Sequence, residues 1–184
     1  MEPIEETLFG IRHKTQAINS KVKGNRNELN VTKLLSDWVG KEFTRVPMSG
    51  GLRWKNREMV CGDVVCTDPD FKFIFSIETK FYKNLGLKYS DPYLRTNSMI
   101  YKFMAQCQRD AAAAGKYPFL MVRENGMPKD LYYVFLPATF IQYTTLIEQI
   151  GARWITKDQS IIGFYSHTFF ARITYKNLKL LYGK

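Results

Sequence analysis

Asp63, Glu78 and Lys80 are the residues of this chain whose types and spacing can do chemistry. Glu78 follows Asp63 by 15 positions and Lys80 follows Glu78 by two, with the apolar run Phe71-Lys72-Phe73-Ile74-Phe75-Ser76-Ile77 between them. Side chains at i and i+2 of a strand share a face, so Glu78 and Lys80 project together. Thr67-Asp68-Pro69-Asp70 has turn chemistry, which predicts a hairpin that brings Asp63 beside Glu78. Acids ending a run this apolar are out of place unless they serve a site. Close carboxylates repel unless a cation compensates or one of them takes up a proton. Mg2+ takes oxygen ligands and needs only one to three carboxylates, and Glu28 at the start of a helix offers a third. A metal so held activates a water and polarises a phosphate. Lys80 can then orient that water or neutralise the charge that builds on the phosphorane, and Gln106 can hold a water or a phosphate oxygen. The chemistry expected is metal-dependent hydrolysis of a phosphodiester.

These side chains need elements to position them. Val31, Leu34, Leu35 and Trp38 recur at helical spacing, and Asn25 with Glu28 resembles a capping box, so a helix is predicted over 25–39. Phe43 to Pro47 reads as a short strand that enters the Met48-Ser49-Gly50-Gly51 turn. Arg53-Trp54-Lys55-Asn56-Arg57 gathers three cations around an indole, a pattern suited to clamping phosphates and stacking bases. Residues 81–98, with Lys83 at their start, are expected to form a long loop. Met99 to Ala114 is the second predicted helix, with Gln106 on its flank and Gln108 as a rival for the same role. Pro118 to Arg123 is a buried strand, and a helix leading into it implies a crossover to a parallel neighbour. Beyond Leu131 come Tyr132 to Leu136, a helix-like stretch from Phe140 to Ile150 and an alternating aromatic run from Ile161 to Tyr175. The expected organisation is a basic arm over 1–24, a catalytic core over 25–130, and an extension over 131–184 that packs on the core or forms a dimer face.

Composition limits the partner more than the reaction. Twenty-seven Lys and Arg against seventeen Asp and Glu give a formal charge of +10 in 184 residues. Such an excess favours a polyanion, because neutralising phosphates releases counterions. A hydrophobic fraction of 45% argues against disorder. No apolar run approaches a membrane span, and the first residues lack the pattern of a secretory leader. Three cysteines suggest no disulfide framework, and His13 and His167 lie far from any cysteine pair that could make a zinc site. The compartment expected is cytoplasmic, the host's cytoplasm if the chain is phage-encoded.

Taken in order, these pieces resemble the PD-(D/E)xK nuclease superfamily, and within it the archaeal and phage Holliday-junction resolvases. Lys23-Gly24-Asn25-Arg26-Asn27-Glu28 resembles the opening helix with its acid. Arg45-Val46-Pro47-Met48-Ser49-Gly50 resembles the arginine and serine-bearing loop. Gly62-Asp63-Val64 and Ile77-Glu78-Thr79-Lys80 resemble the core, and Gln106 to Ala111 with Gly115-Lys116-Tyr117-Pro118 the glutamine helix and its strand. The likeness runs from Lys23 to about Asn125, and Gly62 stands where the motif has its proline. It implies an α/β, restriction-endonuclease-like fold, a mixed central sheet flanked by helices in one domain with a C-terminal elaboration. It implies Mg2+ dependence, with Mn2+ able to substitute, and often a homodimer. Carried over by position, Glu28, Asp63, Glu78 and the Thr79 carbonyl would be metal ligands. Lys80 would be the catalytic lysine and Ser49 a residue near the scissile phosphate. Read from the residues themselves, Arg45, Arg53, Trp54, Lys55, Arg57 and Lys83 are the expected DNA-binding set, and the Arg53–Arg57 stretch is long for a minimal resolvase. The function expected is a structure-selective endonuclease cutting branched DNA. The alternatives are a related nuclease acting on linear or host DNA, and a catalytically silent DNA-binding protein.

Overall fold

The computed structural model describes residues 20–46, 61–87, 93–94, 99–138, 154–156, 158 and 160–183. The first element is a helix, α1 (Ser20–Val39). Among the described residues it reaches back to Ser20, five residues before the predicted Asn25, so residues 20–24 are helical. Asn25 consequently caps nothing, and its side chain serves another purpose below.

Two short strands follow, β1 (Phe43–Arg45) and β2 (Val64–Cys66), and then the long β3 (Phe75–Tyr82). β1 pairs antiparallel with β2, and β2 pairs antiparallel with β3, with Val64 opposite Ile77. The predicted hairpin is therefore present. Its second strand, however, begins at Phe75 and runs through Glu78 and Lys80 to Tyr82, overlapping the start of the expected 81–98 loop. That loop also contributes a two-residue strand, β4 (Tyr93–Leu94). α2 (Met99–Ala113) leads into β5 (Tyr117–Glu124), which lies parallel to β3 from Phe75 opposite Tyr117 to Tyr82 opposite Glu124. β5 is buried over nearly its whole length, as a parallel strand covered on both faces should be.

The C-terminal third continues the same sheet through β6 (Tyr133–Pro137), β7 (Trp154–Thr156) and β8 (Ile161–Tyr165). Among the described residues the strand order is β1-β2-β3-β5-β6-β8-β7-β4, one mixed sheet of eight strands. The aromatic run from Ile161 to Tyr175 divides, because after β8 the chain turns helical in α3 (Ser166–Arg172) and α4 (Tyr175–Leu181). The side chain of Thr174 caps α4 by accepting from the Asn177 N–H. The predicted helix over 140–150 lies outside the described residues.

Strand alternation sorts the core into two layers. Phe75, Ile77, Phe119, Met121, Val134 and Leu136 face α1, α3 and α4, where they meet Val31, Leu35, Phe169 and Leu178. Leu120, Val122, Tyr133 and Phe135 face α2 and meet Ile100, Met104 and Cys107. By the same alternation, Glu78 and Lys80 belong to the α2 face.

Candidate active site

The site is built where β2 begins against the middle of β3. The Asp63 N–H donates to the Ile77 carbonyl at 2.8 Å, extending the β2–β3 ladder by one rung. The Asp63 carboxylate then reaches along β3, its Oδ2 accepting from the Thr79 N–H at 2.8 Å and the Thr79 hydroxyl at 3.3 Å. Asp63 is buried and so is Glu78, at 7% and 4% exposed. Thr79 turns its N–H toward Asp63, and in an extended strand the carbonyl of the same residue faces the same neighbour.

Gly62 explains why the family's proline is missing here. Its φ is +93°, and a Cβ at this position would lie 2.6 Å from the Ile77 carbonyl oxygen and 3.0 Å from the Ile77 nitrogen. The pyrrolidine ring holds φ near −65°, so proline has no access to this backbone, and glycine is what lets β2 approach β3 so closely.

Glu78 Oε1 collects two donors. One is the Lys80 ammonium two positions on, and the other is Gln106 Nε2 at 2.9 Å, supplied from α2. Gln106, and not Gln108, thus makes the bond to Glu78. Burial, and after it the charge of Asp63, pushes the Glu78 carboxyl up to about 7 against the opposing effect of Lys80. Asp110, one turn beyond Gln106 on the same side of α2, adds a weaker push in the same direction. Reading from sequence missed Asp110, although its i+4 spacing from Gln106 was the available signal. Lys80 is only partly covered and also lies 5.8 Å from the centre of the Phe103 ring.

Glu28 stands differently. Its Oε2 accepts from Arg45 Nε at 2.9 Å, while Arg45 Nη2 donates to Asn25 Oδ1 at 2.8 Å. The expectation was that three acids meet. Among the described residues no three His, Cys, Asp or Glu side chains come together as a group able to hold a metal. Two do meet, Asp63 and Glu78, while Glu28 from the other face of the sheet is held by Arg45. Arg45 is likewise occupied, with Glu28 and Asn25 as its partners. Lys83 is exposed just past the end of β3. Ser49, Arg53, Trp54, Lys55 and Arg57 lie outside the described residues.

Two buried carboxylates near enough for the charge of one to act on the other, one bound by a backbone N–H and the other raised toward neutrality, suit an oxygen-seeking divalent cation. The nearby Thr79 carbonyl adds a neutral oxygen, and the rest of such an ion's shell is ordinarily water. The model of the family described as "Phage putative PDDEXK endonuclease" matches residues 19–173. The chain belongs to this PD-(D/E)xK endonuclease family. The match extends well past Asn125 and takes in β6, β7, β8 and α3. No curated protein and no solved structure is matched by the chain. Membership supports a nuclease, and no helix among the described residues is long and apolar enough to cross a membrane.

Proposed function

We propose that the protein is a Mg2+-dependent endodeoxyribonuclease, with Mn2+ able to substitute, that hydrolyses phosphodiester bonds at Asp63, Glu78 and Lys80. The observation that carries this reading is the buried Asp63–Glu78 pair with one lysine and one glutamine converging on the same Glu78 oxygen. Asp63, Glu78 and the Thr79 carbonyl would hold the ion, and Glu28, paired here with Arg45, would be the third acid. A bound divalent ion supplies a polarised phosphate and a water of lowered pKa.

The chain's own residues do the rest. Thr79 fixes the Asp63 carboxylate through its N–H, so that acid is aimed before any substrate arrives. Gln106 fixes the Glu78 carboxylate from the opposite layer. Lys80 is the counter-charge of Glu78, and it becomes available to the attacking water and the phosphorane once other positive charge neutralises the acid pair. Arg45 keeps Glu28 oriented at the margin of the site. Branched DNA as the preferred substrate and a homodimer as the working form complete the proposal, on the resemblance of residues 23–125 to junction resolvases.

The decisive experiment compares Asp63→Asn and Lys80→Ala with the wild type on DNA in Mg2+. Each variant is expected to lose at least about a thousandfold in cleavage rate, the scale of removing one preorganised charge from an active site. DNA binding should stay within a few-fold. Cutting at the wild-type rate by either variant refutes the assignment.

A further inference from the structure

A second cluster of cations lies on the α1 face of the sheet, beyond the carboxylates, and the chemistry above leaves it unused. Phe81 and Arg123 are register partners at the ends of β3 and β5. The Arg123 guanidinium lies 4.7 Å from the centre of the Phe81 ring, and the Lys23 ammonium of α1 lies 4.0 Å from the same centre. The two cations are therefore within about 9 Å of each other, inside a Debye length at ordinary salt. Lys23 also donates to the Asn125 side chain, and Arg123 Nη2 donates to the Met127 carbonyl at 2.8 Å. Arg123 is only 9% exposed, and its Nε has no hydrogen-bond partner. Among the described residues there are three ion pairs, and neither Lys23 nor Arg123 belongs to any of them. Arg123 also bonds the Tyr132 hydroxyl, and the field of the exposed Asp130 reaches that same tyrosine.

Two further features point the same way. The first turn of α1 carries no acid, although acids are what a helix N-terminus favours. It holds Lys21 and Lys23 instead, cations placed at the positive end of the helix. Next to Lys23 stands Gly24, inside the helix, where glycine lowers stability. No packing within the described chain requires it, since a Cβ there would meet nothing within 4 Å. Gly24 precedes Glu28 by one turn on the same helix face, so the open space lies between Lys23 and the margin of the carboxylate site. Lys23 and Arg123 gathered over one ring, beside a glycine that keeps space clear, suit an anion that approaches the helix closely.

We propose that Lys23, with Gly24 beside it and Arg123 behind it, seats a backbone phosphate of the DNA, one that flanks the phosphate being cut. The seat rests on the reading that DNA is the substrate. Its work is to set the register of the strand across Asp63 and Glu78, since phosphate contacts position the duplex without reading bases.

The test uses the full chain carrying Lys80→Ala, so that cutting does not disturb a binding titration with labelled duplex DNA at several salt concentrations. Replacing buried Arg123 endangers the fold, so the two variants added are Lys23→Gln and Gly24→Leu. Lys23→Gln should weaken binding about tenfold at low salt and lower the slope of log K against log salt by about 1. Gly24→Leu should leave the thermal midpoint unchanged or higher, because leucine is the better helix former, and still weaken binding about tenfold. Binding within twofold of the parent by both variants, with an unchanged slope, overturns the seat, as does a parent that binds no duplex. Cleavage by the chain with native Lys80 is scored separately. DNA cut normally by a chain indifferent to Lys23 and Gly24 removes the seat and leaves the nuclease reading intact. Binding through these residues with no cutting in Mg2+ removes the nuclease reading and leaves the seat.

Discussion

At Glu78 the fold holds a carboxyl that binds its proton more tightly than an unfolded chain would, and this has a definite sign. Burial and Asp63 raise it from 4.5 to about 7. Between those values the folded protein retains a proton that the unfolded chain has released. Stability is therefore greatest below about pH 4.5 as far as this group is concerned, and it declines as pH rises through 7. The full span corresponds to about 3 kcal/mol. Metal must displace the same proton, so the stabilisation gained on adding Mg2+ should grow over the same interval. Thermal midpoints of the metal-free protein from pH 5 to 8 test the first point, and the same series with Mg2+ tests the second. Glu78→Gln should flatten both, and a variant with the wild-type pH slope removes Glu78 as their source. Gly62 supports a separate prediction. Alanine there would require a left-handed backbone, at roughly 1–2 kcal/mol, as well as a Cβ pressed on the Ile77 carbonyl. Gly62→Ala should lower the urea midpoint by the equivalent of at least about 2 kcal/mol, and Gly62→Pro by more. An unchanged midpoint would mean that β2 does not approach β3 this closely.

Among the elements, α1 does the most to join the site to the rest of the core, and Trp38 is the means. Its ring lies 5.1 Å from Phe170, 5.7 Å from Tyr175, 6.0 Å from Phe169 and 6.1 Å from Phe119, measured between centroids. Its indole N–H donates to the Ile173 carbonyl at 2.7 Å. Trp38→Phe keeps an aromatic ring but leaves that carbonyl without its donor, at about 1–3 kcal/mol. A chemical denaturation curve should move by that amount, with cleavage per folded molecule retained. A curve that does not move would show that α1 is secured to α3 and α4 by other contacts. Much of this layer was legible in the sequence because it depends on local pattern. Val31, Leu34, Leu35 and Trp38 announce α1, Met99 to Cys107 announce α2, and the run before Glu78 announces a strand. Boundaries were less legible. Asn27, near the predicted start of α1, is buried against the Tyr132 hydroxyl, a contact across 105 positions that no local window contains. The helices after Tyr165 were hidden by aromatic residues that suit a strand as well as a helix packed on a core. In the site, the i, i+2 spacing gave Glu78 and Lys80, while the partition of the acids into an Asp63–Glu78 pair and an Arg45-bound Glu28 depends on which face of the sheet each element covers.

For the whole molecule, the open question is how many strands are cut in one encounter. On the proposed reading one Asp63–Glu78–Lys80 constellation would hydrolyse one phosphodiester, whereas resolving a four-way junction takes two cuts related by symmetry. The junction reading therefore requires a second copy of the chain, arranged so that the two sites obey the two-fold axis of the substrate. A net charge of +10 per copy makes holding two duplex arms at once electrostatically favourable. A panel of a synthetic four-way junction, a flap, a linear duplex and single strands, each incubated with the protein in Mg2+ and mapped for cut positions, tests this at the scale where it applies. On the junction the nicks should come in symmetric pairs. Their rate should rise more steeply than in proportion to protein concentration while the dimer is still forming, and the linear duplex should be cut more slowly by at least about tenfold. The light-scattering mass of the protein on the junction should correspond to two chains. A faster reaction on linear duplex or on ends, with single nicks and a rate proportional to concentration, would place the enzyme among nucleases that degrade or restrict DNA. The chemistry proposed at Glu78 would be unaffected by that outcome, because a carboxylate pair working on a phosphate leaves the choice of DNA to the surfaces around it.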